Sequence, residues 1–450
     1  MIATVGHWAR SPAQRVLRVG DRRDAARRRP HQVEHAGRHA ARDRRLRAIR
    51  GAVIAVGAGV IVIVGRDGSP AWQVVRVAVV AALTAGLYIT LREGIRGWRA
   101  GSVFAVGVFA TAVGTGIGLP HLAKNGWHVV TIAGLLCLTG GLALLVRGGW
   151  TLVRSARAWR RALVAPALLV AMSVPIWSLG QAVAVTNVPR TSVGETTPAE
   201  VGLQYRDVEL ITSDGATLSG WYVPSTNGAA VVLLHGAGST RSSVLDHAVV
   251  LARHGYGVVL FDARGHGRSD GRAMDLGWYG DEDTTAAVSF LESQTEVDDG
   301  RIAALGMSMG GEEAIGAAAA DVRIGAVVAE GATNRVAGDK SWLSDEFGWR
   351  GVLQEGIDWL TYSTADLLTA ADPPISLHDA VAATAPRPVL LVAAGSVTNE
   401  AHAARYIASA SPDTVDLWIV PNTGHTAALD THPDEWEQRV TAFLADALGV

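Results

Sequence analysis

Five stretches between residues 51 and 186 run almost unbroken in apolar residues: 51–65, 72–91, 102–122, 127–146 and 162–186. A run of about 20 such residues has few options, because in hydrocarbon every backbone N–H and C=O must pair within its own segment, which a helix does. The pattern predicts about five transmembrane helices within residues 48–187. The first stretch is short, and it spans only if residues 46–50 join its helix with Arg47 and Arg50 snorkelling to the interface. The spans lack charge at mid-depth, apart from Arg76 near one helix end, where a transport path would need ionisable groups. Gly57, Gly59, Gly114, Gly116 and Gly118 read as helix-packing surface. The region is therefore expected to anchor the chain.

Charge divides the chain. The net of −2 combines residues 1–50, with fourteen Arg against four acidic residues, and residues 190–450, with 15 basic against 36 acidic residues. Residues 1–47 are too polar to bury a core and are expected to form a disordered cytoplasmic tail. Arg92, Arg96 and Arg99 share one side of the membrane with that tail, as do Arg147, Arg154, Arg157, Arg160 and Arg161. Only Arg66 and Lys124 fall in the intervening loops, so the positive-inside rule predicts a cytoplasmic N-terminus in the cell membrane and an extracytoplasmic region after residue 187. Acidity there excludes nucleic acid as a partner. The single cysteine, Cys137, excludes a disulfide framework and a thiolate metal cluster.

Residues 188–202 read as a linker. From 203 to 450 strand-like runs alternate with helical patterns, which predicts an α/β fold with a mostly parallel sheet covered on both faces. The strands fall at 208–212, 218–223, 230–234, 257–261, 302–305, 325–329, 389–393 and 416–420. Helices are expected at 242–254, 281–293, 312–320, 401–409 and 435–448.

Between the fifth strand and its helix stands Gly306-Met307-Ser308-Met309-Gly310. Gly-x-Ser-x-Gly in that setting is a nucleophile elbow, a turn so sharp that the glycines admit close backbone approach and Ser308 is thrust above the sheet. A hydroxyl at its free pKa is a poor nucleophile and needs a base.

Together these motifs resemble the α/β-hydrolase family across residues 203–450. His235-Gly236-Ala237-Gly238 follows the third strand, the segment from Asp262 through Gly265-His266-Gly267 to Ser269 follows the fourth, the elbow follows the fifth, and Gly424-His425 follows the eighth. The resemblance implies a serine hydrolase with nucleophile, acid and histidine in chain order. Ser308 is then the nucleophile and His425 the base, with Gly424 leaving its imidazole room. The backbone N–H groups of Ala237 and Met309 are the implied oxyanion donors. Where the family commonly places its acid, three residues after Gly395, this chain has Thr398. Glu400, at the head of a helix, is the favoured acid, and Glu330, at the end of the sixth strand, is its rival. His235, His266, His402 and His432 read as structural.

Residues 333–386 are expected to form a helical cap whose aromatics, Trp342, Phe347, Trp349, Trp359 and Tyr362, shape an apolar pocket. No metal-ligand spacing and no dinucleotide fingerprint occurs, so no cofactor is expected. The reading is a membrane-anchored serine hydrolase acting on a small-molecule or lipidic ester, less readily an amide or peptide. An acyltransferase on the same scaffold, or a binding scaffold that has lost catalysis, are the alternatives.

Overall fold

The computed structural model describes residues 98–271 and 273–450. The expected Arg-rich tail and the apolar stretches 51–65 and 72–91 lie outside the described residues. The three later stretches fall in helices α1 (Trp98–Asn125), α2 (Val129–Ser155) and α3 (Arg161–Val185). All three are long and apolar enough to cross a membrane. Glycines let α1 and α2 meet backbone to backbone. A Cβ on Gly134 would lie 2.6 Å from the Gly118 backbone, and one on Gly114 would collide with the Leu138 backbone. Small residues at such a seam gain van der Waals contact where lipid offers no hydrophobic drive. Gly116 serves the same end against α3, where its Cβ would meet Val183 at 2.9 Å.

The rest of the chain builds one eight-stranded sheet from β1 (Arg206–Ile211), β2 (Thr217–Val223), β3 (Ala230–Leu234), β4 (Gly257–Phe261), β5 (Ile302–Met307), β6 (Ile324–Glu330), β7 (Val389–Ala394) and β8 (Val415–Val420). The spatial order is β1-β2-β4-β3-β5-β6-β7-β8. β2 runs antiparallel to both of its neighbours, β1 and β4, and every later pairing is parallel. Every residue of β3, β4, β5 and β7 is buried. That is why these strands read as unbroken apolar runs: a parallel strand is covered on both faces.

The covering helices are α4 (Leu245–Arg253), α5 (Gly280–Glu292), α6 (Met309–Ala320), α9 (Leu377–Thr384), α10 (Thr398–Ala408) and α12 (Pro433–Leu448). A cap of α7 (Leu343–Phe347) and α8 (Trp349–Leu368) stands between β6 and α9, and a single turn, α11 (Ala428–Thr431), precedes α12. One core layer gathers Tyr222, Phe261 and Ile315; the other gathers Trp221, Leu444 and the fully buried Trp436. Successive strands leave β3 in opposite directions, to β4 on one side and β5 on the other. The crevice above the carboxyl ends of β3 and β5 is therefore a topological switch point, where open α/β sheets bind ligands.

The helical bundle and the sheet domain touch directly. Lys124, at the end of α1, donates to Gly238 O at 3.1 Å, in the loop after β3. Arg190 donates to four backbone carbonyls of the loop after β4, those of His266, Gly267, Ser269 and Gly271, at 2.6–3.2 Å. The Ser178 hydroxyl of α3 donates to Ile357 O of the cap at 3.4 Å.

Candidate active site

The turn from β5 into α6 is as tight as its glycines suggest. A Cβ on Gly306 would collide with the Gly310 carbonyl, and one on Gly310 would sit 2.7 Å from the carbonyl oxygens of Leu234 and His235. Ser308 itself takes φ 54° and ψ −121°, a backbone conformation that costs an L-residue energy and aims its side chain out of the sheet. Its N–H donates to Glu330 O at 2.7 Å.

Three of the expected residues meet there. Ser308 Oγ lies 2.9 Å from His425 Nε2, and His425 Nδ1 lies 2.6 Å from Glu400 Oε2. A carboxylate only accepts, so Nδ1 carries the proton and donates to Glu400, which leaves Nε2 to accept from the serine hydroxyl. The second oxygen of Glu400 accepts from Ala394 N at 2.6 Å, so this 2% exposed carboxylate has both oxygens engaged. The Glu400 hydrogen bond and charge raise the His425 pKa above its ordinary value, against an opposing contribution from partial burial.

Glu330 points elsewhere. Its oxygens accept from Ala428 N at 2.9 Å and Trp436 Nε1 at 3.0 Å, which pins α11 and α12 under the sheet end. Burial raises its pKa. β6 and β7 are neighbours, so the end of β6 and the helix that follows β7 each bring a carboxylate close to His425; side-chain direction separates them.

One glycine of the site departs from expectation. A Cβ on Gly424 would meet nothing within 4 Å, so Gly424 is not what makes room for the imidazole. That space comes from Gly331, at φ 75°, where a Cβ would lie 2.9 Å from His425 Cε1. The sequence signal was the Glu330-Gly331 pair closing β6, legible only once β6 and the β8 loop are known to face each other.

The loop after β3 lies against the elbow, since a Cβ on Gly236 would come within 3.3 Å of Ser308 Cβ. His235 and His266 hold this loop to the loop after β4. His235 Nδ1 donates to Gly236 O at 2.8 Å and its Nε2 accepts from Ala263 N at 3.0 Å; His266 Nδ1 donates to Arg264 O at 2.9 Å and its Nε2 accepts from Gly238 N at 3.2 Å. Burial pushes the His235 pKa down to about 4, so the ring is neutral and keeps this pattern. Gly238 N is thus spent on His266. Ala237 is exposed beside it, and Met309 begins α6, where an N–H has no intrahelical acceptor.

His402 stacks on Trp342 at 5.5 Å between ring centres, and His432 Nε2 contacts Pro421 O at 2.9 Å. Glu312, one turn into α6, was not singled out by sequence. It is buried, accepts from Thr333 N and Asn334 N at 3.0 and 2.9 Å, and so shapes the loop after β6. Burial pushes its pKa up to about 7.

A cavity of about 460 Å³ opens beside His425 under the cap. Its lining is partly apolar, with polar groups the sequence did not foretell. Trp342, Leu343, Phe347, Val397 and Ala403 supply apolar surface, while Asn334, Lys340, Arg350, Gln354 and Asp358 add polar groups. Trp349 and Trp359 turn away from it and are 73% and 63% exposed. Tyr362 instead hydrogen-bonds Asn334.

The strand order, the strained elbow after β5 and the histidine after β8 together decide the architecture. The residues from β1 to α12 take the α/β-hydrolase fold. Within it, residues 225–353 match the family model described as serine aminopeptidase, S33. An uncharacterised protein of Mycobacterium tuberculosis is 41% identical over 116 residues, which is 25% of this chain and 41% of that protein. A thiohydrolase of Aspergillus aculeatus is 36% identical over 129 residues, 28% of this chain and 40% of its own length. Each match thus spans less than half of the relative. Among solved structures, an esterase of Pyrococcus furiosus aligns with a TM-score of 0.45 and 26% identity, covering 58% of this chain and 98% of the esterase. The helical bundle α1–α3 precedes the hydrolase domain's matched segment.

Proposed function

We propose that the chain is a membrane-anchored serine hydrolase that cleaves an ester through an acyl-enzyme on Ser308. The observation that carries this reading is the relay from the strained elbow: Ser308 Oγ to His425 Nε2 at 2.9 Å, and His425 Nδ1 to Glu400 at 2.6 Å. As Ser308 Oγ attacks the ester carbonyl, its proton passes to His425 Nε2, and Glu400 stabilises the imidazolium and fixes the ring. The oxygen that gains charge is met by the N–H groups of Met309 and Ala237, each donor typically contributing about 3 kcal/mol. His425 then gives its proton to the leaving alkoxide, and the alcohol departs. Water, deprotonated by His425, attacks the acyl-enzyme, and the proton returns to Ser308 as the acid leaves.

The three apolar helices support the anchor, and the Arg distribution supports a cytoplasmic N-terminus with an extracytoplasmic hydrolase domain. Hydrolysis of p-nitrophenyl acyl esters by the purified full chain tests the reaction, with product analysis in the presence of added alcohol. Free acid as the main product supports hydrolysis; acyl transfer to the alcohol in preference to water assigns the acyl-enzyme to a transferase. A reporter phosphatase fused after Arg190 tests the topology, and activity of a cytoplasmic-type reporter there in its place contradicts it.

A further inference from the structure

The cap helix α8 wears its amphipathicity inside out. Gln354 and Asp358 face the cavity, whereas Trp349, Val352, Leu353 and Trp359 are 73%, 59%, 56% and 63% exposed. Spaced at i, i+3, i+4 and i+10, these four form a single stripe along the helix. A helix that faces water normally carries its polar residues outward, and an apolar stripe of this kind marks a contact surface.

Its neighbour identifies the contact. α8 packs along the last turns of α3, where Ser178 bonds Ile357 O. Beside that contact Trp177 is 60% exposed, and Trp127, in the turn between α1 and α2, is 75% exposed. At the far end of the bundle Trp150 and Trp159 are 59% and 66% exposed. Trp159 and Trp177 lie about 27 Å apart at the helical rise per residue, close to the roughly 30 Å of a bilayer core. Tryptophan collects at the two interfaces of a bilayer, so the four residues form two belts. The stripe of α8 continues the apolar surface of α3 at the belt nearest the hydrolase domain. Phe347, 44% exposed, also lines the cavity and so connects the outer apolar surface with the site.

We propose that α8 lies in the bilayer interface, with Trp349, Val352, Leu353 and Trp359 among the headgroups and upper acyl chains, and that the cavity beneath takes its acyl ester from that leaflet. This rests on α1–α3 spanning the membrane and on Ser308 as nucleophile. The substrate class is then a membrane-resident acyl ester, whose chain reaches Ser308 past Phe347 without crossing water. The polar cavity wall, with Lys340 and Arg350, suits the headgroup side of such a molecule.

Full-length protein carrying C137A and one new cysteine, L353C, L142C or V322C, is labelled with a fluorophore and reconstituted into phosphatidylcholine vesicles doped with nitroxide lipids. Leu142 is at the middle of α2, and Val322 is at the opposite end of the sheet from the site. The expected result is quenching at 353 by headgroup-level nitroxide, quenching at 142 by mid-chain nitroxide, and none at 322. Quenching at 142 but not at 353 overturns the proposal and leaves the anchor standing; the stripe is then covered by protein, either residues 51–91 or a second copy. No quenching at 142 overturns both. In the same vesicles V352E/L353E is expected to lower turnover of an embedded long-chain acyl ester by about tenfold or more, with a soluble acetate ester unaffected. Equal loss on both esters overturns the leaflet route, and inactivity of the wild type toward every ester refutes Ser308 chemistry while the quenching still reports on α8.

Discussion

Replacing Glu400 with Gln tests the proposed acid of the relay. Glu400 Oε1 accepts from Ala394 N at 2.6 Å, so a glutamine there keeps its carbonyl oxygen on that N–H and turns its NH₂ toward His425 Nδ1. Nδ1 must then accept, the imidazole proton moves to Nε2, and the nitrogen facing Ser308 becomes a donor. A base in the wrong tautomer cannot take the serine proton, and such a swap costs on the order of 10³–10⁴ in kcat, about 4–5.5 kcal/mol of barrier. The change is nearly isosteric, so unfolding should move little. Glu330→Gln is the matched control. It disturbs the bonds to Ala428 N and Trp436 Nε1, which should lower stability by about 1–3 kcal/mol with kcat within a few-fold. The assay is steady-state hydrolysis of a p-nitrophenyl ester alongside thermal unfolding of each variant. A Glu400→Gln enzyme within tenfold of wild type, or a larger kcat loss in Glu330→Gln, refutes this assignment of the acid.

Gly331→Ala places a Cβ 2.9 Å from the His425 ring at a φ of 75°, and should cut kcat at least about a hundredfold, whereas Gly424→Ala meets nothing and should stay within about twofold; equal activities of the two variants contradict the revised account of the imidazole's space. His425 acts as a base only when neutral, and Glu400 raises its pKa, so kcat/KM should rise through a midpoint above the ordinary histidine value of about 6.5; a midpoint below that value counts against the pairing. His247 is buried against Trp436, its ring nitrogens lack hydrogen-bond partners among the described residues, and burial lowers its pKa to about 4. Its depressed pKa gives stability that is present above about pH 6.5 and lost as pH falls toward 4, at most about 3 kcal/mol, so His247→Leu should flatten the fall of the unfolding midpoint across that window. An unchanged acid slope in that variant contradicts the assignment.

Much of this architecture is legible in the residues because burial on both faces forces it. β3, β5 and β7 can only be apolar runs, and the elbow glycines are required because a Cβ on either would collide with a neighbouring carbonyl. Helices α4, α5, α6, α10 and α12 lie where their periodicity puts them, within a few residues. Spatial relations between segments distant in sequence are not legible. Glu330 ends β6 and Glu400 opens the helix that follows the neighbouring strand β7, and only side-chain direction tells which reaches His425. Gly331 looks like any turn glycine until the loop after β8 folds over it. The cap misleads for a different reason: aromatic residues signal burial, yet Trp349 and Trp359 face outward, and local pattern cannot distinguish a core from a contact surface.

The central claim is that Ser308 is an activated nucleophile, and covalent labelling tests it most directly. A fluorophosphonate probe incubated with folded full-length protein should add one phosphonyl group, mapped by mass spectrometry to the peptide holding Ser308 and absent from Ser308→Ala. A folded wild type that takes up no probe, or labelling that survives in Ser308→Ala, would contradict it.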